Sequence, residues 1–350
     1  MTFFHSQICA NKRIKFGEYG KFKKGFKTAM ILDMSDKKVL VSGVKPTGRP
    51  HIGNYFGAIK QFVELQNSYQ CYIFIADLHA LTTVQNREEL RENSMGVVLD
   101  YLATGLDPKK TVIYKQSDVP QVTELAWIFN CLTTMPYLMR AHAFKDAEAK
   151  NKEINVGVFD YPLLMAADIL IQDADVVPVG ADQKQHVEIA RDIAQKFNNI
   201  FGETFKLPEP LILEDMATVP GTDGKKMSKS YNNTIELFAT DAEITKAVMS
   251  IVTDSSSGMP KNVYAIHALF RDKKFLDNLY TEKKGQYKEL KEALIEDVKK
   301  FITPMRKNRK ALEKDSSAVL EVLKAGGKVA RERAENKMEE VREKVGLKLS

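Results

Sequence analysis

Two stretches of this 350-residue chain hold residue types that together could handle a phosphate. The first, "GVKPTGRPHIGN" (43–54), sets glycines and two prolines before His51-Ile52-Gly53-Asn54, where helical spacing begins. Glycines let backbone approach a ligand closely, and a helix N-terminus with unpaired N–H groups favours an anion. His51 can donate to a phosphate oxygen or cap the helix, and both roles stay open. The stretch lacks the Gly-Lys-Ser/Thr ending of a P-loop and is not G-x-G-x-x-G. The second stretch, "DGKKMSKSYNN" (223–233), is a loop with three lysines and two serines. Such a loop can neutralise charge that develops on a departing phosphate. Standing alone, it would be a solvated turn.

The elements that must position these residues follow from periodicity. Strands are expected at 39–44, 71–78, 111–117 and 173–180, and helices at 51–66, 87–104 and 182–198. Short apolar strands alternating with helices indicate an α/β fold built on a parallel sheet. Ligands of such sheets sit at the carboxyl ends of strands, which singles out Asp77–His79 and Pro178–Asp182. After about residue 238 the character changes. "DAEITKAVMSIV", "YKELKEALIEDVKKFITPMRKNRKAL" and "KVARERAENKMEEVREKVGL" carry apolar residues at helical spacing among many charges. The chain thus divides into a basic extension (1–37), an α/β part (38–238) and an all-helical part (239–350), with no internal repeat.

Composition narrows the function classes. No run of 18 apolar residues exists, so no membrane span is expected. Cys9, Cys71 and Cys131 are scattered and never form C-x-x-C, which argues against a disulfide framework or a cysteine zinc site. No metal-ligating cluster is expected. The net charge of +6 would suggest a nucleic-acid partner if it were spread over the chain. Residues 1–33 instead carry seven Lys or Arg against Glu18 and Asp33, leaving the rest near neutral. That segment reads as an extension ahead of a true start near Met30 or Met34, as a basic arm, or as a transit segment.

The two stretches become specific when taken together. "PTGRPHIGN" resembles the HIGH signature of class I aminoacyl-tRNA synthetases, and "KMSKS" (226–230) is that class's second signature. The segment "GVFDYPLLMAADILIQDADVVPVGADQKQHVEIARDIA" (157–194) is similar to the tryptophanyl-tRNA synthetase family, and the resemblance covers about residues 38–350. It implies a Rossmann-type catalytic domain, a helical anticodon-binding domain and a cytoplasmic homodimer. It implies ATP, Mg²⁺, L-tryptophan and tRNA(Trp), with tryptophanyl-adenylate as the intermediate.

Carried over by matching residues, the resemblance implies catalytic roles for His51, Asn54, Lys226 and Lys229. Lys45, Pro46, Thr47, Gly53 and Asn54 would lie along the ATP. Gly180, Ala181 and Asp182 would hold its ribose, Val219 would border the adenine, and Lys226, Met227, Ser228, Lys229 and Ser230 would close over it. Tyr161, Met165, Asp168, Gln183, Val177, Val179 and His79 would form the tryptophan pocket. Met165 and Asp168, three apart, share a helix face, and Val177 and Val179 project from one side of a strand. Many bacterial members have Gln at the position of Lys45 and Glu at that of Ala181. The tyrosine enzyme shares fold and signatures, but its pocket would be expected to carry Gln where this chain has Met165. An inactive RNA- or protein-binding paralogue is the other alternative, which the intact signatures oppose. "PQVTELAWIFNCLTTMPYLM" (120–139) has the apolar and aromatic content of a dimer interface.

Overall fold

A computed structural model describes residues 37–140, 144–145, 154–180, 183–212, 219–253 and 259–349. The expected extension therefore lies outside the described residues except for Lys37. The sheet has five parallel strands in the order β3-β2-β1-β4-β5. They are β1 (Val39–Val44), β2 (Gln70–Ile75), β3 (Thr111–Lys115), β4 (Val176–Val179) and β5 (Glu209–Ile212). Chain order reverses its direction across the sheet between β1 and β4, which makes the gap between their carboxyl ends the place for a ligand. Three of the four expected strands end or begin differently. β2 stops at Ile75 because Asp77–Ala80 turns into a short helix, β3 stops at Lys115 before a 3₁₀ turn, and β4 begins only at Val176. β5 was not expected: four residues containing Pro210 carry too little periodicity to register.

The helices follow the strands in crossover order. α1 runs over 52–65 and contains a π-helical stretch, Tyr55–Ile59; α2 is the short Asp77–Ala80; α3 spans Arg87–Thr104. Asn86 caps α3 by accepting from the Glu89 N–H, and Gly105 ends it at φ +111°, where only glycine is unstrained. α4 (Gln121–Leu132), α5 (Met135–Leu138), α6 (Val156–Leu170) and α7 (Lys184–Phe201) complete the sheet-covering set. The helical part comprises α8 (Asp241–Met249), α9 (Lys261–His267), α10 (Lys273–Glu282), α11 (Tyr287–Glu313) and α12 (Ser316–Lys344). No helix among the described residues is long and apolar enough to cross a membrane.

Alternation along β2 sorts the core into two layers. Cys71, Ile73 and Ile75 enter one apolar cluster, while Tyr72 and Phe74 enter the other on the opposite face. α1 and α3 cover the first face, and α8 to α11 extend the same cluster rather than forming a separate one. Phe56 of α1 stacks on Phe301 of α11 at 5.3 Å and meets Phe270 edge-on at 5.5 Å. The helix that opens at His51 is thereby anchored to the helical part. α12 runs from the first cluster (Val319, Val322, Leu323) into the second (Ala330, Ala334, Met338), lying across the edge strand β3. A Cβ at Gly326 would stand 2.0 Å from the Ile113 carbonyl oxygen, so the close approach requires glycine. The exposed edge of β3 is covered in this way.

Candidate active site

Backbone pairing between β1 and β4 is confined to Leu40↔Val176. Beyond it lies a cavity of about 240 Å³. Its walls include Gly43 and Val44 of β1, Ala58 of α1, Met165 and Asp168 of α6, and Val177 and Val179 of β4, with Gly180 just past that strand. Gln183 also lines it. The cavity thus touches elements on both faces of the sheet at its switch point. Gly43 is required there: the Phe74 ring occupies the space a Cβ would take, 2.4 Å from its position. The result is an apolar slot with one ionisable wall.

That wall is Asp168, 3% exposed, on the same face of α6 as Met165. Its Oδ2 accepts from the His79 ring at Nε2 (2.9 Å), and the Gln116 amide nitrogen donates to Oδ1 (3.0 Å) and Oδ2 (2.8 Å). Burial pushes the Asp168 pKa up, opposed by His79 and then Gln116. Tyr161 shares a hydrogen bond with the His186 ring, oxygen to Nε2 at 2.9 Å, and its ring stacks on that imidazole. His79 and Tyr161, expected in the pocket itself, do not line the cavity: one ring is held by Asp168 and the other by His186. Met165, Asp168, Val177, Val179 and Gln183 do line it. Gln116 was missed because 111–117 reads as one strand. The 3₁₀ turn Gln116–Asp118 ends that strand and turns Gln116 inward, to 1% exposure.

The phosphate-handling stretches meet beside this cavity. His51 caps α1, its Nδ1 accepting from the Asn54 N–H (3.3 Å) while Asn54 Oδ1 accepts from the His51 N–H (3.0 Å). An accepting Nδ1 leaves the proton of the neutral ring on Nε2, a donor. Burial, then the nearby Lys229 charge, push the His51 pKa down to about 4, so the ring is neutral at pH 7. Gly53 has to be glycine, because a Cβ would stand 2.8 Å from His51 Nδ1. The chain leaving the lysine loop pairs with the helix mouth: Ile52 N–H donates to Ile235 O (2.9 Å) and Leu237 N–H to Pro50 O (3.0 Å).

The loop itself is a hairpin, with Met227 N–H donating to Val219 O at 2.9 Å. Asn233, 2% exposed, holds it closed. Its amide donates to Asp223 Oδ1 (2.7 Å) and Lys226 O (3.1 Å), and its oxygen accepts from the Ser228 N–H (2.8 Å). This hairpin-closing role of Asn233 is one that spacing alone did not reveal. Lys229 reaches back across the site and donates to the Thr47 carbonyl at 2.8 Å. Lys226 is exposed, and the Ser228 and Ser230 hydroxyls bond each other at 2.9 Å. Met227, expected to lie along the nucleotide, is instead buried in the apolar cluster with Val219 and can offer only backbone. Lys45 donates to Thr82 Oγ1 at 3.1 Å, and Pro46 is buried. Ala181 and Asp182 lie outside the described residues.

Comparison with known proteins agrees with this geometry. Residues 34–323 match the family described as tRNA synthetases class I (W and Y). The tryptophan--tRNA ligase of Fusobacterium nucleatum is 50% identical over 316 residues, covering 88% of this chain and 97% of that one. A crystal structure of the Campylobacter jejuni tryptophanyl-tRNA synthetase, complexed with ADP and tryptophan, superposes with a TM-score of 0.83 at 45% identity. It covers 88% of this chain and 99% of that chain. The Mycoplasma pneumoniae enzyme superposes with a TM-score of 0.76 at 28% identity, covering 89% and 98%. With both signature stretches in contact through Lys229 and Thr47, and a matching family model over most of its length, the chain belongs to the class I tRNA synthetases of the tryptophan and tyrosine group, on its tryptophan--tRNA ligase branch.

Proposed function

We propose that this enzyme activates L-tryptophan with ATP and transfers it to tRNA(Trp). The observation that carries the amino-acid identity is the slot itself: apolar walls from Met165, Val177 and Val179 with one buried carboxylate, Asp168. An indole is a flat apolar body with one N–H donor and no acceptor, which such a slot complements. The tryptophan carboxylate attacks the α-phosphorus of ATP, the bond to the bridging oxygen breaks, and pyrophosphate leaves. The tRNA's terminal ribose hydroxyl then attacks the acyl carbon and AMP leaves. No covalent enzyme intermediate is needed, so the protein's task is positioning and charge stabilisation. His51 Nε2–H, Lys226 and Lys229 serve the phosphates, Asn54 fixes His51, and Gly180 with Ala181 and Asp182 serves the ribose.

Lys45, Thr47 and Gly53 border the nucleotide, as do the backbone of Met227 and the hydroxyls of Ser228 and Ser230. Mg²⁺ bound with ATP would screen the phosphate charge beside Lys226 and Lys229. Among the described residues no group of three or more His, Cys, Asp or Glu could hold a metal. The helical part, 239–350, serves tRNA anticodon binding and 38–238 serves catalysis in the cytoplasm. Two copies associate through α4 and α5, where Trp127 is 70% and Met135 65% exposed. Pyrophosphate exchange with each of the twenty amino acids tests the assignment. Exchange dependent on tryptophan supports it; dependence on tyrosine, or none at all, overturns it.

A further inference from the structure

Gln116 is nowhere among the residues that the signatures single out, yet its side chain is fully committed inside the site. Its oxygen accepts from two backbone donors at the start of α2, Leu78 N–H (3.1 Å) and His79 N–H (3.2 Å). Those two bonds fix which end of the amide is oxygen and aim the nitrogen at Asp168. From there it donates to both carboxylate oxygens, at 3.0 and 2.8 Å. His79 shares Oδ2, so among the described residues Oδ1 carries a bond from Gln116 alone. Oδ1 therefore keeps a lone pair for a donor in the cavity that Asp168 lines.

We infer that Gln116 is the positioning residue for amino-acid selection: it holds the Asp168 carboxylate in one orientation and obliges it to act as an acceptor. This rests on the tryptophan reading of the slot. An amide N–H cannot accept, so a proton on the carboxyl group would have to compete with Gln116 for the same oxygens. Without that donor, burial would act on Asp168 with only His79 opposing it. The carboxyl could then rotate or take up a proton and present a donor to the indole N–H, a repulsive pairing. Selectivity that depends on a polar contact is lost when the acceptor is misaimed, while apolar packing of the ring remains.

The test uses three variants in steady-state pyrophosphate exchange. The amino acids are tryptophan and its isostere β-(3-benzothienyl)alanine, in which sulfur replaces the N–H. Gln116→Met keeps the volume and removes the donor. It should lower kcat/KM for tryptophan by roughly 10- to 100-fold, mainly through KM, and leave the isostere and the KM for ATP nearly unchanged. Gln116→Glu is the conservative variant. The ionisable groups around it are Asp168 from α6, Asp77 and His79 from α2, Tyr114 from β3, and Lys115 with Asp118 on the turn itself. A proton shared between the introduced carboxyl group and Asp168 restores the donor at low pH and is lost as pH rises. The variant should therefore approach wild-type tryptophan selectivity in acid and lose it in base, whereas wild type shows no such decline. Equal losses for both amino acids, or a Gln116→Glu profile parallel to wild type, overturn the inference. Asp168→Asn separates the two levels. If it discriminates between tryptophan and isostere as wild type does, the tryptophan slot itself is wrong; if it loses discrimination while both Gln116 variants keep it, only the role of Gln116 falls.

Discussion

Removing the Lys229 ammonium should slow adenylate formation without disturbing the fold. Among the described residues the ammonium makes one hydrogen bond, to the neutral carbonyl of Thr47 at 2.8 Å. Partial burial pushes its pKa down, opposed by Asp100 and Glu236, although the residue as a whole stays exposed at the surface. As pyrophosphate departs, negative charge grows on its oxygens. At about 4 Å and an effective dielectric near 20, one ion pair is worth about 4 kcal/mol. Giving up the Thr47 bond costs about 1 kcal/mol of that. The net of about 3 kcal/mol corresponds to roughly 100- to 200-fold in rate. Because the gain is realised in the transition state, the loss should fall on kcat more than on the KM for ATP. Lys229→Ala should therefore cut the single-turnover rate of tryptophanyl-adenylate formation by that factor at saturating ATP. The side chain is exposed, so the thermal midpoint should move little. An unchanged single-turnover rate would refute the reasoning and leave Lys229 as a loop tether. Lys229→Arg, which keeps the charge, should recover part of the rate.

Five further outcomes can be checked. His51→Asn keeps a competent N-cap and removes the Nε2–H donor, so it should fold normally yet lose roughly 100-fold in activation rate, measured by pyrophosphate exchange. In the same variant one component of acid sensitivity should vanish. His51 has its pKa depressed to about 4 in the folded state, so its contribution is full above 6.5 and is lost as pH falls to 4. That loss is about 3 kcal/mol, read as a flatter stability–pH slope in the variant. Asn233→Ala should cost about 1–3 kcal/mol in denaturant unfolding and speed tryptic cleavage at Lys225 or Lys226, because it strands the Ser228 N–H and the Lys226 carbonyl. Asp168→Ala should lower tryptophan kcat/KM by about 2–4 kcal/mol while ATP binding stays intact, and an equal loss for phenylalanine would move Asp168 out of the indole contact. Trp127 is the chain's one tryptophan and is 70% exposed. Its emission should shift blue as micromolar protein assembles to twice 39.5 kDa in sedimentation, and Trp127→Glu should leave a monomer.

What the sequence disclosed and what it withheld divide along the range of the interactions. The parallel sheet was legible because short apolar runs such as "CYIFI" alternate with helical stretches such as "REELRENSMGVVLDYLAT", a local signal, and α3 begins and ends where its Asn86 cap and Gly105 place it. The pairing of Met165 with Asp168 was legible for the same reason: a spacing of three on a helix fixes a shared face. Gln116 was not. Its role depends on β3 ending two residues early and on a carboxylate 52 positions away. Nor was the return of α12 across β3. Helical spacing in "KVARERAENKMEEV" announces an apolar face but not what covers it. That the partner is an edge strand is set by the glycine at 326, whose role is visible only against Ile113. Asn233 belongs to the same class, since its three bonds close a hairpin that has no period to read.

His51 shows why two competing roles for one residue need not exclude each other. The sequence allowed a helix cap or a phosphate donor, and treating them as alternatives assumed that the imidazole has one polar end. It has two. Nδ1 accepts from the Asn54 N–H and completes the cap, and that bond fixes the tautomer that makes Nε2 a donor. Burial keeps the ring neutral, so the same tautomer persists across the physiological range. Gly53 is needed because the capping ring occupies the space of its Cβ, and Asn54 because its oxygen closes the capping box on the His51 N–H. The local sequence His-Ile-Gly-Asn is thus one device, in which the groups that terminate a helix are those that orient a donor at its mouth. The cap is the condition for the donor, and a variant such as His51→Asn, which keeps one and loses the other, is the perturbation that separates them.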